Sequence, residues 1–171
     1  MSQLYFDSSA LVKYYIIEPG TAWVRSAIDR RVNLDWEHEI ATSILSVAEV
    51  VSAFAKRRRV KDISSRLCAG TISRFLREGR HRCRLVGVSE SVVDLAVQLV
   101  QGHPLRAYDA VQLATALRLN QILRQNRLPS LTFVSADAVL CQVAQAEGLT
   151  TVNPNELENE HPATGNHGSR L

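Results

Sequence analysis

The chain has 171 residues, 46% of them apolar and 22% charged, with a formal net charge of +3. This length suits one domain with a sizeable core, and the balance excludes a disordered, fibrous or membrane-embedded class. Cys68, Cys83 and Cys141 are odd in number and lie far apart with no Cys-x-x-Cys pair, so neither a disulfide framework nor a zinc–thiolate site is suggested.

Residues 4–6 form an apolar run that reads as a strand. Asp7 interrupts it too early for a secretory leader, and no uncharged run approaches membrane-spanning length, so the chain is expected in the cytosol. Ser8 or Ser9 is placed to cap a helix over residues 10–17, which Pro19 and Gly20 end. Residues 21–31 are amphipathic around Trp23, Val24, Ala27 and Ile28 and predict a second helix, and residues 40–43 a second strand. Residues 44–59 predict a helix apolar almost all round its first three turns, ending in Lys56, Arg57, Arg58 and Arg59, where cations suit the macrodipole. A helix over residues 62–80 follows. Between positions 56 and 84 eleven Lys or Arg stand against Asp62 and Glu78 alone, a pattern that fits either a polyanionic partner or a solvated helix face.

Residues 84–88 predict a strand, and Ser89 caps a helix to about residue 101. Gly102, His103 and Pro104 then break the chain before a long apolar helix over 105–126. Residues 131–134 predict a strand, 136–147 a helix ended by Gly148, and 149–152 a last strand. The alternation indicates an α/β domain over residues 1–152, with a central, mainly parallel sheet of four or five strands between helical layers. Residues 153–171 turn polar and are expected to form a flexible tail.

Four acids stand out. Asp7 and Asp137 follow strands, and in an open parallel sheet function gathers at the carboxyl ends of the strands. Helix capping is the structural alternative for both. Glu49 lies on a line with Ser46 and Ser52, and Asp109 on a line with Arg106, Gln112 and Thr115, each spaced by three in an otherwise apolar helix. A carboxylate there faces a cleft, carries a desolvation cost, or is paired, with Arg106 the nearest candidate partner. Several carboxylates in one cleft repel one another unless they share protons or bind cations. All-oxygen ligands favour magnesium or manganese, and the histidines are scattered.

Together these segments resemble the PIN-domain nucleases: Tyr5-Phe6-Asp7-Ser8-Ser9-Ala10-Leu11-Val12-Lys13, Ser46-Val47-Ala48-Glu49-Val50, Tyr108-Asp109-Ala110-Val111-Gln112-Leu113-Ala114, and Val134-Ser135-Ala136-Asp137 with Ala144 and Gly148 after it. In size the chain is similar to VapC-type toxins of bacterial toxin–antitoxin pairs. The resemblance implies a PIN-like three-layer α/β/α fold and a Mg²⁺- or Mn²⁺-dependent endoribonuclease site at the sheet rim. It also implies a cognate antitoxin partner and a homodimer. It makes Asp7, Glu49, Asp109 and Asp137 the catalytic and metal-binding acids, with Ser8 and Ser135 as hydroxyl positions beside them. The family often has Thr where Ser135 stands, which keeps the hydroxyl. Arg57, Arg58 and Arg59 are candidate RNA phosphate contacts.

Other readings stay open: a PIN-fold nucleic-acid or partner-binding module without catalysis, and a general RNA-processing nuclease. Phosphoryl transfer through an aspartyl phosphate is disfavoured, because Ser9 stands where a dehalogenase-like site wants its second Asp.

Overall fold

A computed structural model describes residues 2–157. Its centre is a sheet of five parallel strands in the order β5-β4-β1-β6-β7, formed by β1 (Ser2–Phe6), β4 (His38–Ser43), β5 (Cys83–Val86), β6 (Leu131–Val134) and β7 (Thr150–Val152). The chain builds outward from β1 on one side to β4 and β5, then returns to add β6 and β7 on the other. The order therefore reverses between β1 and β6, and a crevice opens at such a switch point outside the carboxyl ends of the strands.

Alternation along β1 divides the core. Tyr5 faces one layer, with β6 residues Leu131 and Phe133 and helices α6 (Glu90–Gly102), α7 (Ala107–Gln125) and α8 (Ala138–Ala146). Leu4 and Phe6 face the other, packed on α1 (Ser8–Tyr15), α2 (Thr21–Asp29), α3 (Ser46–Arg59) and α4 (Ser65–Arg74). The expected α/β/α sandwich is present. Cys68, Cys83 and Cys141 are buried free thiols within it. Among the described residues, no helix is long and apolar enough to cross a membrane.

Several boundaries differ from expectation. A hairpin of β2 (Arg31–Val32) and β3 (Asp35–Trp36) occupies the segment after α2, where no strand was expected. Its turn residues Asn33 and Leu34 lie at φ 50° and 74°, without the Gly that usually announces such a turn. The helix expected over 62–80 starts at Ser65, because Ser64 caps it by accepting from the Leu67 N–H at 3.1 Å. It then passes through a π-turn at Phe75–Gly79 into the short α5 (Arg80–Arg82). Ser89 occupies the capping position of α6, but its hydroxyl lies 3.0 Å from Ser91 Oγ and caps nothing. The first turns of α3 are not buried all round, since Ala48 and Ser52 face solvent. Of the expected tail, Pro154–Leu157 forms a single turn, α9, with Pro154 buried against Gly20; residues 158–171 lie outside the described residues.

Candidate active site

Asp7, the first residue beyond β1, is 4% exposed. Its Oδ1 accepts from Ser9 Oγ at 2.7 Å and from the Ala10 N–H at 2.9 Å, and its Oδ2 accepts from Ser135 Oγ at 2.8 Å. Both hydroxyls are fixed in turn by backbone beyond β6: the Ala136 N–H donates to Ser9 Oγ at 2.9 Å, and the Asp137 N–H to Ser135 Oγ at 3.1 Å. The carboxylate is thus clamped across the switch point. Burial pushes its carboxyl up to about 6; hydrogen bonds from Ser9, Ala10 and Ser135 oppose that shift, and the Glu49 charge adds to it.

The capping expected of Ser8 or Ser9 falls instead to Asp7, whose carboxylate takes the Ala10 N–H while Ser9 turns toward Asp7 itself. Asp137 caps α8, its Oδ1 accepting from the Val139 and Leu140 N–H groups at 2.8 and 3.0 Å. The structural role allowed for both acids is real, and it leaves the second oxygen of the exposed Asp137 outside the cap.

Glu49 and Asp109 are half-buried on the first turns of α3 and α7. Burial raises the Glu49 carboxyl, the Gln112 amide opposes that, Asp109 adds to it, and the Ser8 hydroxyl opposes it. For Asp109, burial and then the Asp137 charge raise the carboxyl, while the Arg106 charge and backbone N–H lower it. Each acid therefore feels the next, in the sequence Asp7, Glu49, Asp109, Asp137. Arg106 is exposed, and among the described residues it forms no ion pair with Glu49 or Asp109, so the buried-pair alternative is not what the structure contains. Asp109 and Asp137 line one cleft of about 240 Å³, with Arg106 at its edge and Leu105 and Val139 along its wall.

Among the described residues no three His, Cys, Asp or Glu side chains are drawn together closely enough to hold one ion. The donor chemistry nonetheless fits a hard divalent cation: all-oxygen groups that raise one another's protonation, at a partly open rim. Magnesium in particular is bound through one or two carboxylates and keeps several waters.

Two side chains in the site were not assigned from sequence. Ser9 is one, named only as a cap. Gln112 is the other; it lies on the polar line of α7, and its amide contacts Glu49 Oε2 and, at 2.8 Å, Ser46 Oγ. The basic candidates separate as well. Arg57 is held by Glu18 and Asp62, and Glu18 also receives the buried Lys13 at 3.0 Å; Arg58 and Arg59 are exposed.

Helices on both faces of a parallel sheet, with acids just beyond β1 and β6 and on the first turns of α3 and α7, define an α/β domain with an acidic rim. Residues 4–146 match the PIN domain family, and the chain belongs to it. No curated protein matches it in sequence. Its fold is similar to that of Mycobacterium tuberculosis VapC20, a sarcin–ricin-loop-cleaving toxin, at 12% identity and a TM-score of 0.56. It is also similar to a toxin–antitoxin complex from Klebsiella pneumoniae (17%, 0.54) and to VapBC2 from Rickettsia felis bound to a promoter DNA fragment (13%, 0.57). Each likeness covers 88% of this chain and 97% of the other.

Proposed function

We propose that this chain is a metal-dependent endoribonuclease and the toxin of a toxin–antitoxin pair. The observation that carries the reading is Asp7: a buried carboxylate clamped by Ser9 and Ser135 at the switch point, with Glu49, Asp109 and Asp137 on the same rim. Burying it costs stability, and a cation is the simplest compensation.

Asp7 and Asp109 are the principal residues to hold Mg²⁺ or Mn²⁺, with Asp137 completing the site through the oxygen its cap leaves free. Such an ion supplies Lewis-acid stabilisation of a phosphodiester under attack and a hydroxide at neutral pH. Glu49, raised by burial and by Asp109, is a further ligand or the group that takes a proton from the attacking water. Ser8 and Ser135 orient the carboxylates beside them. Arg58 and Arg59 are free to meet RNA phosphates, whereas Arg57 must first leave Glu18 and Asp62. An antitoxin as inhibitor is supported by the likeness to one structure described as a toxin–antitoxin complex and to another described as VapBC2; a homodimer as assembly rests on the family resemblance alone.

One observation favours the rival reading of a non-catalytic binding module: Asp7 and Asp137 already have work as helix caps. Cleavage of a mixed RNA pool by the purified chain separates the two. Cleavage that needs Mg²⁺ or Mn²⁺, stops in chelator and is lost in Asp7→Asn is the expected result. Cleavage that survives both changes rejects the site, and none at any metal concentration favours the binding module.

A further inference from the structure

Behind the rim lies a polar cluster that the proposed chemistry does not use. Tyr5 and Ser46 are fully buried and Gln112 is 2% exposed. The Tyr5 hydroxyl donates to Gln112 Oε1 at 2.8 Å; on its other side the Gln112 amide nitrogen donates to Ser46 Oγ and to Glu49 Oε2. The Thr42 hydroxyl lies 2.7 Å from Ser46 Oγ and 2.7 Å from the carbonyl oxygen of Phe6, the residue before Asp7.

The direction of these bonds is forced. An ionised Glu49 only accepts, so the NH₂ end of Gln112 must face it, and the carbonyl end then needs a donor, which Tyr5 provides. Reversing the amide sets oxygen against carboxylate, and since the Tyr5 hydroxyl can donate or accept, it is Glu49 that fixes the direction. The cluster also joins four elements, of which β1 leads into Asp7 while α3 and α7 carry Glu49 and Asp109. Gln112 follows Asp109 by one turn of α7, Ser46 precedes Glu49 by one turn of α3, and Thr42 reaches the backbone at the end of β1. A Leu or Met at position 112 fills a similar volume without drawing on the buried Tyr5 and Ser46 or the half-buried Glu49, so core packing alone does not call for an amide.

Resting on the nuclease reading above, we infer that Gln112 is a positioning residue: oriented by Tyr5, it grips Glu49 and sets that carboxylate in register with Asp109 and Asp7. The test uses the full chain with Mn²⁺ alone as probe, read by titration calorimetry, with RNA cleavage scored in parallel. Gln112→Met lowers Mn²⁺ affinity and kcat by about tenfold each, leaving KM for RNA unchanged. In a Glu49→Ala background the same substitution changes either quantity less than about twofold, because its partner is gone. Tyr5→Phe, which keeps the amide, gives a smaller loss of roughly threefold and carries the test if Gln112→Met does not fold. Unchanged Mn²⁺ affinity in Gln112→Met and Tyr5→Phe, or equal losses with and without Glu49, overturns the inference. If the wild-type chain binds Mn²⁺ and shows this coupling but cleaves no RNA, the nuclease reading falls and the positioning of Glu49 stands. If it binds no Mn²⁺, both fall.

Discussion

Ser135 donates its hydroxyl proton to Asp7 Oδ2 at 2.8 Å, linking the residue after β6 to the residue after β1. Because Asp7 is buried, that bond does two jobs: it satisfies an oxygen largely withdrawn from solvent, and it favours the ionised form. Ser135→Ala is expected to lower stability by about 1–2 kcal/mol in urea denaturation. It is also expected to raise the Asp7 carboxyl above its present value of about 6, moving the acidic limb of the cleavage profile to higher pH. Ser135→Thr keeps the hydroxyl and is expected to restore both.

The raised Asp7 carboxyl makes the metal-free protein less stable at neutral pH than in mild acid. Its folded value, about 6, exceeds its ordinary 3.8, so between these values the folded state binds the extra proton. Stability therefore falls as pH rises through this window and stays low above it. In chelator, Asp7→Asn is expected to raise stability at pH 7 by about 2 kcal/mol, roughly 4–8 °C in Tm, and to flatten the dependence between pH 4 and 6. Calorimetric scans at pH 4, 5, 6 and 7 check it. A metal-free wild type that gains stability steadily with rising pH contradicts the burial of an uncompensated charge.

Lys13, Glu18 and Arg57 predict a division between folding and RNA binding. The Lys13 side chain is 5% exposed, and its Nζ divides its bonds between Glu18 Oε1 at 3.0 Å and the Pro19 carbonyl at 2.8 Å. Glu18→Gln strands a buried ammonium and is expected to cost about 3 kcal/mol in denaturant titration. Arg58→Ala and Arg59→Ala are expected to leave stability within about 0.5 kcal/mol and to lower the salt slope of RNA binding by about one each. A salt slope unchanged in both places the RNA elsewhere.

The β2–β3 hairpin turns through Asn33 and Leu34, and Leu34 is 90% exposed at a φ of 74°. A β-carbon in that left-handed conformation is strained, and the exposed side chain packs on nothing that compensates. Leu34→Gly is expected to stabilise the chain by about 0.5–1 kcal/mol, measured as a higher urea midpoint with an unchanged slope.

The same hairpin marks where sequence reading stops. Residues 131–134 and the long α7 were legible, because apolar runs and a sustained helical period report burial directly. Arg31 to Trp36 carry no such pattern: the hairpin has two-residue strands, a turn without Gly, and a Trp36 ring contacted by the guanidinium groups of Arg31 and Arg82, each 4.0 Å from the ring centroid. In the candidate site, what was legible was the placement of the acids after strands and along polar helix lines, not their role. Their partners were not. That Ser9 serves Asp7 rather than the helix depends on β6 lying beside β1, a pairing between residues far apart in the chain. Gln112 stood on the right line, but nothing local says that Tyr5 and Glu49 flank it.

Hydrolysis by water under the control of the rim acids is the central step of the proposed reaction. Cleaving RNA with Mn²⁺ in ¹⁸O-enriched water and weighing the product ends by mass spectrometry tests this most directly. Hydrolysis by water puts one ¹⁸O in the single phosphate formed at each cut and none in the hydroxyl end opposite it; these labelled ends are expected from the wild type and are absent with chelator or in Asp7→Asn. A 2′,3′-cyclic phosphate without ¹⁸O, or labelled ends made equally well by Asp7→Asn, contradicts it.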